Sequence, residues 1–510
     1  MNKVSKFSSN LFKRFLDITE KTGNALPHPA TLFGILAVLV AIASAIGYHV
    51  GLKAVHPSNG TIVTVTNLLS GDGLRWIYTN LFKNFVEFPP LGIVLTAMIG
   101  IGLAEGSGLL ITLIKAVVIS APKRLITATI VFAGVLSHTA SEAGYVILIP
   151  LAAIVFLAIG RHPLAGLAAA FAGVSGGFGA NFIIGSIDPV LAGLSQSAAQ
   201  IIDPNIHLNP AINFYFMFVS GIVIVLAGTW VTEKIVEPRL GKYNGGAQAI
   251  SIDTISSIEK KGLRWAGISV LIASITFIIL TVPENALLRN PETGSILKSP
   301  FLEGMITAVM IFFFIPGLVF GLVVKTIRND KEAVKHIISS MSGMAGYIVL
   351  VFFAAQFVYF FRHSNLGVIL AIDGAEFLKS IGLTGIFLII GFVFLSAFIN
   401  MFMGSASAKW AIMAPVFVPM FMLLGYHPAL TQAAFRIGDS VTNLITPMMS
   451  YFALIVSFAQ KYNDKYGMGT IISMMLPYSI IFTLMWILLL VAWILFGLPL
   501  GPEGALYFSK

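Results

Sequence analysis

GYVILIPLAAIVFLAIGRHPLAGLAAAFAGVSGGFGAN, residues 144–181, and KWAIMAPVFVPMFMLLGYHPALTQAAFRIGDSVTNLIT, residues 409–446, align without a gap at a spacing of 265 residues. Pro150 falls on Pro415, Gly160-Arg161-His162-Pro163 on Gly425-Tyr426-His427-Pro428, Gly173 on Gly438 and Ser175 on Ser440. Matching apolar residues say little in so hydrophobic a chain; glycine, histidine and proline repeated at fixed offsets say more. A duplicated unit with glycines and polar residues inside apolar stretches is a common way to build a central transport site.

The chain has 510 residues, of which 57% are apolar, 12% aromatic and only 10% charged. A soluble domain would carry roughly 25% charge, so this is an integral membrane protein. Cysteine is absent, which excludes disulfides, thiolate metal sites and cysteine nucleophiles. The net charge of +9 lies between hydrophobic spans rather than on a basic domain, which argues for cytoplasmic loops and against nucleic acid. Residues 1–28, with Lys3, Lys6, Lys13, Arg14 and Lys21 and no cleavage pattern, read as a retained cytoplasmic N-terminus.

A spanning helix needs about 20 mainly apolar residues. Such runs fall at roughly 29–50, 89–115, 164–192, 211–231, 264–282, 302–324, 344–362, 428–458 and 470–497. Residues 124–160 and 383–425 read differently, each as two apolar arms around a polar, small-residue tip. The tips are Ser137-His138-Thr139-Ala140-Ser141-Glu142 and the stretch from Asn400-Met401-Phe402 to Gly404-Ser405-Ala406-Ser407. These fit re-entrant hairpins, whose irregular backbone survives at membrane depth only inside protein or beside a cavity. The expected fold is all-α and polytopic, with about nine transmembrane helices and two hairpins.

Basic residues orient this layout. Lys123, Arg124 and Arg161 put the open end of the first hairpin in the cytoplasm, with the connector 232–263, Lys325 to Lys335, and Lys461 with Lys465. Loops 51–88, 193–210 and 283–301 then lie outside, and the second hairpin opens outward. The repeat is inverted, with 29–231 and 264–510 as the halves and 232–263 as the linker. An upstream echo, Leu91-Gly92-Ile93-Val94-Leu95 with Leu366-Gly367-Val368-Ile369-Leu370, extends the match to the span before each hairpin.

The span after each hairpin should be broken. Residues 173–181 hold four glycines, each costing about 1 kcal/mol in a helix interior; the competing reading is that they permit close helix packing. In the second copy Pro447 opposes helix continuation. Freed carbonyls and half-helix ends can bind a cation or a carboxylate. Arg436 and Asp439, three apart, share a helical face, and each charge costs roughly 2.5–3.5 kcal/mol at mid-membrane. They form either a mutual ion pair, or a substrate site in which Arg436 forks a carboxylate and Asp439 orients Arg436 or contacts a substrate amine. Asp188, before Pro189, is a helix-end cap or a polar contact for substrate or proton. Trp410 offers a flat face to an aromatic ring, with Ser405, Ser407 and Asn400 as neutral hydrogen-bonding groups. Ser137, Thr139, Asn181, Asn400 and Thr442 supply neutral oxygens suited to Na⁺. Glu142 and Lys409, each beside a tip, either titrate or face water. His162 and His427 read as structural turn residues. His138 beside Ser137 invites a hydrolase reading, but no GxSxG, HExxH or P-loop accompanies it.

Several motifs together carry a resemblance. Gly404-Ser405-Ala406-Ser407-Ala408-Lys409-Trp410-Ala411, Ala414-Pro415-Val416-Phe417-Val418-Pro419-Met420 and Phe435-Arg436-Ile437-Gly438-Asp439-Ser440 resemble the AbgT family of p-aminobenzoyl-glutamate transporters. So do Pro27-His28-Pro29, Gly160 to Leu167 and Glu237-Pro238-Arg239-Leu240-Gly241. Ser141 to Tyr145 and Thr442 to Ser450 look closest to its MtrF-like drug-efflux branch. The resemblance implies a homodimer in the bacterial inner membrane, each protomer with nine spans and two hairpins. It implies p-aminobenzoyl-glutamate and sulfonamides as substrates, and places pathway residues at Asp188, Ser407, Trp410, Arg436, Asp439 and Pro447, with Asn400 and Pro428 also implicated. His138 stands where some relatives have Asn.

The expected function is secondary active transport of aromatic carboxylates or sulfonamides, with efflux favoured, no cofactor, and Na⁺ or H⁺ as the coupling ion. The alternatives are a passive channel for small anions, which lacks a ring-forming filter here, and an intramembrane hydrolase.

Overall fold

The computed structural model describes residues 27–55, 60–140, 144–243, 255–296, 299–449 and 451–508. The N-terminal segment 1–26, Glu142 and the side chain of Thr139 lie outside the described residues. What is described is almost wholly helical, as lipid demands of a backbone that must satisfy its own hydrogen bonds. Three helices open with one local signal, a His-Pro pair. The Nδ1 atoms of His28, His162 and His427 accept from the backbone N–H groups of Ala30, Leu164 and Ala429 at 3.3, 3.2 and 3.2 Å. Each following proline sits at the first helical position, where its missing N–H is harmless. This agrees with a structural role for His162 and His427.

Among the described residues, eight helices are long and apolar enough to cross a membrane: Pro29–Val50, Gly71–Gly106, Phe214–Leu240, Ser257–Thr281, Met305–Val324, Ala345–His363, Met468–Leu495 and Ala406–Leu423, the last being an arm of the second hairpin. Two broken spans join the other seven. The first runs as Pro163–Phe171, a π-turn Ala172–Gly176, an irregular stretch and Ile187–Ala199; the second as Pro428–Thr442, an irregular stretch and Phe452–Gln460. The first hairpin joins Ile126–Leu136 through the 3₁₀ turn Ser137–Ala140 to an arm ending with Ile149–Ala158; the second joins Gly385–Asn400 to Ala406–Leu423.

Helix Phe214–Val231 shows that the hairpins are inverted. At its start Asn213 donates to the carbonyl of Ala429, beside the open end of the second hairpin, at 2.8 Å. Just beyond its end Glu237 receives the guanidinium of Arg161, beside the open end of the first. Between these points lie eighteen α-helical residues, spanning about 27 Å, and the π-turn Thr232–Val236. The two mouths therefore lie at opposite ends of a spanning helix. Each mouth is clamped by the residue preceding its His-Pro pair. Arg161 Nη1 reaches Thr127 at 2.8 Å, and the Tyr426 hydroxyl accepts from Gly385 N at 2.8 Å. The C-terminal residues strap the second mouth, since Leu506 accepts from His427 N at 3.0 Å and Phe508 donates to Gly425 at 2.8 Å.

Several sequence expectations change. Loop 51–88 contains a small β-hairpin, Lys53–Val55 with Ile62–Thr64, and helix Gly71–Val86. The 89–115 run divides into Pro89–Gly106 and Leu109–Ile119 at Gly108, whose φ of +88° is left-handed and ends the first helix. The connector 232–263 is shorter than expected, because helix continues to Leu240 and resumes at Ser257. Helices Asp330–Gly343 and Leu366–Ser380 occupy segments assigned no element. The second overturns the upstream echo: element order pairs Leu366–Ser380 with Leu109–Ile119 and Ala345–His363 with Pro89–Gly106. The Leu91 and Leu366 runs match by composition, not by position.

The glycine expectation resolves into two parts. From residue 177 the first broken helix is unwound, as the run suggested. Gly173 lies before that break and serves close packing instead, since a Cβ there would strike the Val131 carbonyl and Gly134 on the first arm of its hairpin. Gly438 meets the Val393 carbonyl and Ser396 in the same way.

Candidate functional site

The irregular stretch of the first broken helix crosses the second broken helix along its helical part, Pro428–Thr442. Gly179 N donates to Ser440 Oγ at 2.6 Å, and Arg436 Nε donates to Gly179 O at 3.3 Å. Each hairpin tip rests near the break that follows it. Gly185 abuts the His138 carbonyl, while Thr446 Oγ1 donates to Met401 O at 3.1 Å.

Two buried ion pairs stand at this crossing. Arg436 Nη1 lies 2.7 Å from Asp188 Oδ1, both side chains no more than 3% exposed. Asp188 Oδ2 also accepts from Gly185 N at 2.6 Å and Asn181 Nδ2 at 3.0 Å, so its charge is well solvated by the protein. Lys409 Nζ lies 2.5 Å from Asp439 Oδ1 and also donates to Asn400 Oδ1. Of the two readings of Arg436 and Asp439, the mutual ion pair is therefore not formed. Their shared helix aims each at a different neighbour, Arg436 at the first broken helix and Asp439 at the second hairpin. Asp188 is a buried counter-ion, not an outer cap.

Trp410 is fully buried. Its indole N–H reaches Ser195 Oγ at 2.9 Å, and its ring lies 4.5 Å from that of Phe435 at 30°. Ser195 in turn donates to Gln432 Oε1 at 2.6 Å. The flat face expected to meet a substrate is covered by Phe435, so an aromatic ligand must displace a ring to reach it. Ser405 caps the second arm by accepting from Ala408 N at 3.3 Å, with Ser407 Oγ 3.3 Å away. Pro428 opens the second broken helix, and Pro447 lies within its break, half-buried.

The expected cation oxygens fall into two groups. Asn400 and Thr442 converge: Asn400 Nδ2 donates to Asp439 O, Thr442 Oγ1 and Asn443 Oδ1 at 2.7–2.9 Å. Asn181 is tied to Asp188 elsewhere, and Ser137 Oγ donates to Gly134 O at 2.6 Å. That bond gives the Ser137 proton to a carbonyl, so it forms no nucleophile–base pair with His138. Sequence reasoning missed Ser195 and Gln432, whose only signal was a polar side chain within an apolar run, and it left Lys409 without a partner.

Paired inverted hairpins, crossed broken helices and buried charges at the crossing define a membrane transporter. Residues 14–508 match the family described as "AbgT putative transporter family", and the chain belongs to that family. It is 41% identical over 483 residues to the p-aminobenzoyl-glutamate transport protein of Escherichia coli K12, covering 95% of each chain. Its fold superposes on the Neisseria gonorrhoeae MtrF structure, reported as illuminating a class of antimetabolite efflux pumps, with TM-score 0.90 and 49% identity over 94% of this chain and 97% of that one. The Alcanivorax borkumensis YdaH transporter, reported to have an unusual topology, gives TM-score 0.88 and 44% identity over 93% and 100%.

Proposed function

We propose that this protein moves p-aminobenzoyl-glutamate and sulfonamide-type antimetabolites across a bacterial inner membrane, as a homodimer driven by a Na⁺ or H⁺ gradient and favouring efflux. The similarity to a p-aminobenzoyl-glutamate transport protein and to MtrF supports the substrate class. The observation that carries the site is the Arg436–Asp188 pair at the crossing of the broken helices. Arg436 Nη2 has no hydrogen-bond partner among the described residues. A planar guanidinium with an unpartnered Nη2 can exchange Asp188 for a substrate carboxylate, a geometry that lysine does not match. Trp410 with Phe435 receives the aromatic ring, and Ser405, Ser407 and Asn400 receive polar substituents. Pro428 and Pro447 set the helix ends around them.

The test is flux of labelled p-aminobenzoyl-glutamate and of a sulfonamide in proteoliposomes, with Na⁺ and pH gradients imposed separately. Saturable flux that responds to one gradient is expected. Flux linear in concentration and indifferent to both gradients overturns the reading and leaves a passive channel.

A further inference from the structure

Lys409 is the one lysine that is both inside a candidate span and fully buried among the described residues. Its ammonium sits against Asp439 Oδ1 and Asn400 Oδ1, where the second hairpin meets the second broken helix. Around that point stand three more oxygens, those of the Asp439 carbonyl, Thr442 and Asn443, which hold the amide of Asn400 in place. One carboxylate among neutral oxygens at a tip-and-break junction is a donor set that suits a hard alkali cation. Arg436 is engaged with Asp188, so Lys409 is the cation that neutralises Asp439. The first repeat has no counterpart: Gly144 occupies the aligned position, pressed against Ser137.

We infer that Lys409 is a tethered replacement for a sodium ion, which makes the second hairpin tip independent of Na⁺. The ammonium supplies one compact positive charge and three donors, much as a bound alkali ion would supply its charge, but it cannot dissociate. This inference rests on the reading of gradient-coupled transport and sharpens it, because it removes Na⁺ from the oxygen cluster that best resembles a sodium site.

The test is thermal unfolding of purified wild-type, Lys409→Ala and Lys409→Met proteins in choline, potassium and sodium chloride, without substrate. Lys409→Ala opens a cavity lined by Asp439 and Asn400 and should gain a Na⁺-specific rise in Tm that grows with the logarithm of Na⁺ concentration above its Kd. Wild type and Lys409→Met, whose stem fills the space, should not respond. Na⁺-specific stabilisation of wild type, absent in potassium and choline, overturns the inference, as does a folded Lys409→Ala protein indifferent to Na⁺. If Lys409→Ala unfolds in choline, rescue by Na⁺ supports the inference and failure to rescue counts against it. Because no substrate is present, these outcomes stand apart from the flux assay: a protein that carries no p-aminobenzoyl-glutamate defeats the proposed function alone.

Discussion

Gly173 and Gly438 hold equivalent places in the two repeats and press their helices onto the first arm of the neighbouring hairpin in the same manner. One residue further on, Val174 and Asp439 share nothing: the first is core, the second half of a buried ion pair. The same split separates Tyr145, stacked on Tyr451 at 4.7 Å, from Trp410, and Phe171 from Arg436. Positions where the backbones touch were held in common after duplication, and positions facing the crossing diverged. The second repeat carries Lys409, Arg436 and Asp439, and the first supplies a counter-ion through Asp188.

The most severe break of this comparison is Arg436→Ala. It strands Asp188 as a buried charge, and stability in detergent should fall by about 3–5 kcal/mol. Proteoliposome flux should drop to background, while Phe171→Leu at the aligned position should retain most of it. Combining Arg436→Gln with Asp188→Asn should recover stability but not flux, because the pair is neutralised without restoring a carboxylate receptor.

Next in size are Gly173→Ala and Gly438→Ala. Each added methyl meets backbone, so both should destabilise by about 1–3 kcal/mol in denaturant titrations. A loss confined to one of them would sink the claim that the repeats share their packing seam. Trp410→Phe leaves Ser195 without its indole donor and should lose about 1 kcal/mol. Tyr145→Phe removes the hydroxyl that reaches Ser175 Oγ at 3.4 Å, a longer contact, and should lose less. Flux measured on the pair tells whether the difference extends to transport.

The smallest effect concerns the matched helix caps. Burial lowers the His427 imidazole to about 4 and moves His162 in the same direction, against the opposing pull of Glu237. A cap that accepts through Nδ1 must be neutral there. Both folded-state values lie below the unfolded one, so the stabilisation is complete above the ordinary histidine range, near 6.5, and declines as pH falls toward about 4 for His427. A Tm profile against pH should flatten across that window in His427→Asn, which caps without titrating.

Much of the architecture was legible because periodicity, His-Pro signals and basic loops are local or nearly so. The hairpins, the broken spans and their opposite orientations could be read from residues 124–160, 383–425 and the lysines between them. What escaped was pairing across helices. Arg436 and Asp439 are neighbours in sequence and on one helical face, yet each finds its partner 248 and 30 positions away, at Asp188 and Lys409. Ser195 and Gln432 were invisible for the same reason, since a serine or glutamine in an apolar run acquires meaning only from what lies opposite. Helix Leu366–Ser380 was missed because Asp373, Glu376 and Lys379 face outward and depress its apolar signal.

The strap over the second mouth bears on how the chain is made. The first mouth closes with Arg161 and Glu237, 76 residues apart and both available once the first half has emerged from the ribosome. The second is strapped by Leu506 and Phe508. The first hairpin can thus be sealed before the second half is made, whereas the second gains its strap only once residues 506–508 have emerged. A fusion placed directly after residue 508 sits on that final seal, and one placed ahead of residue 27 does not.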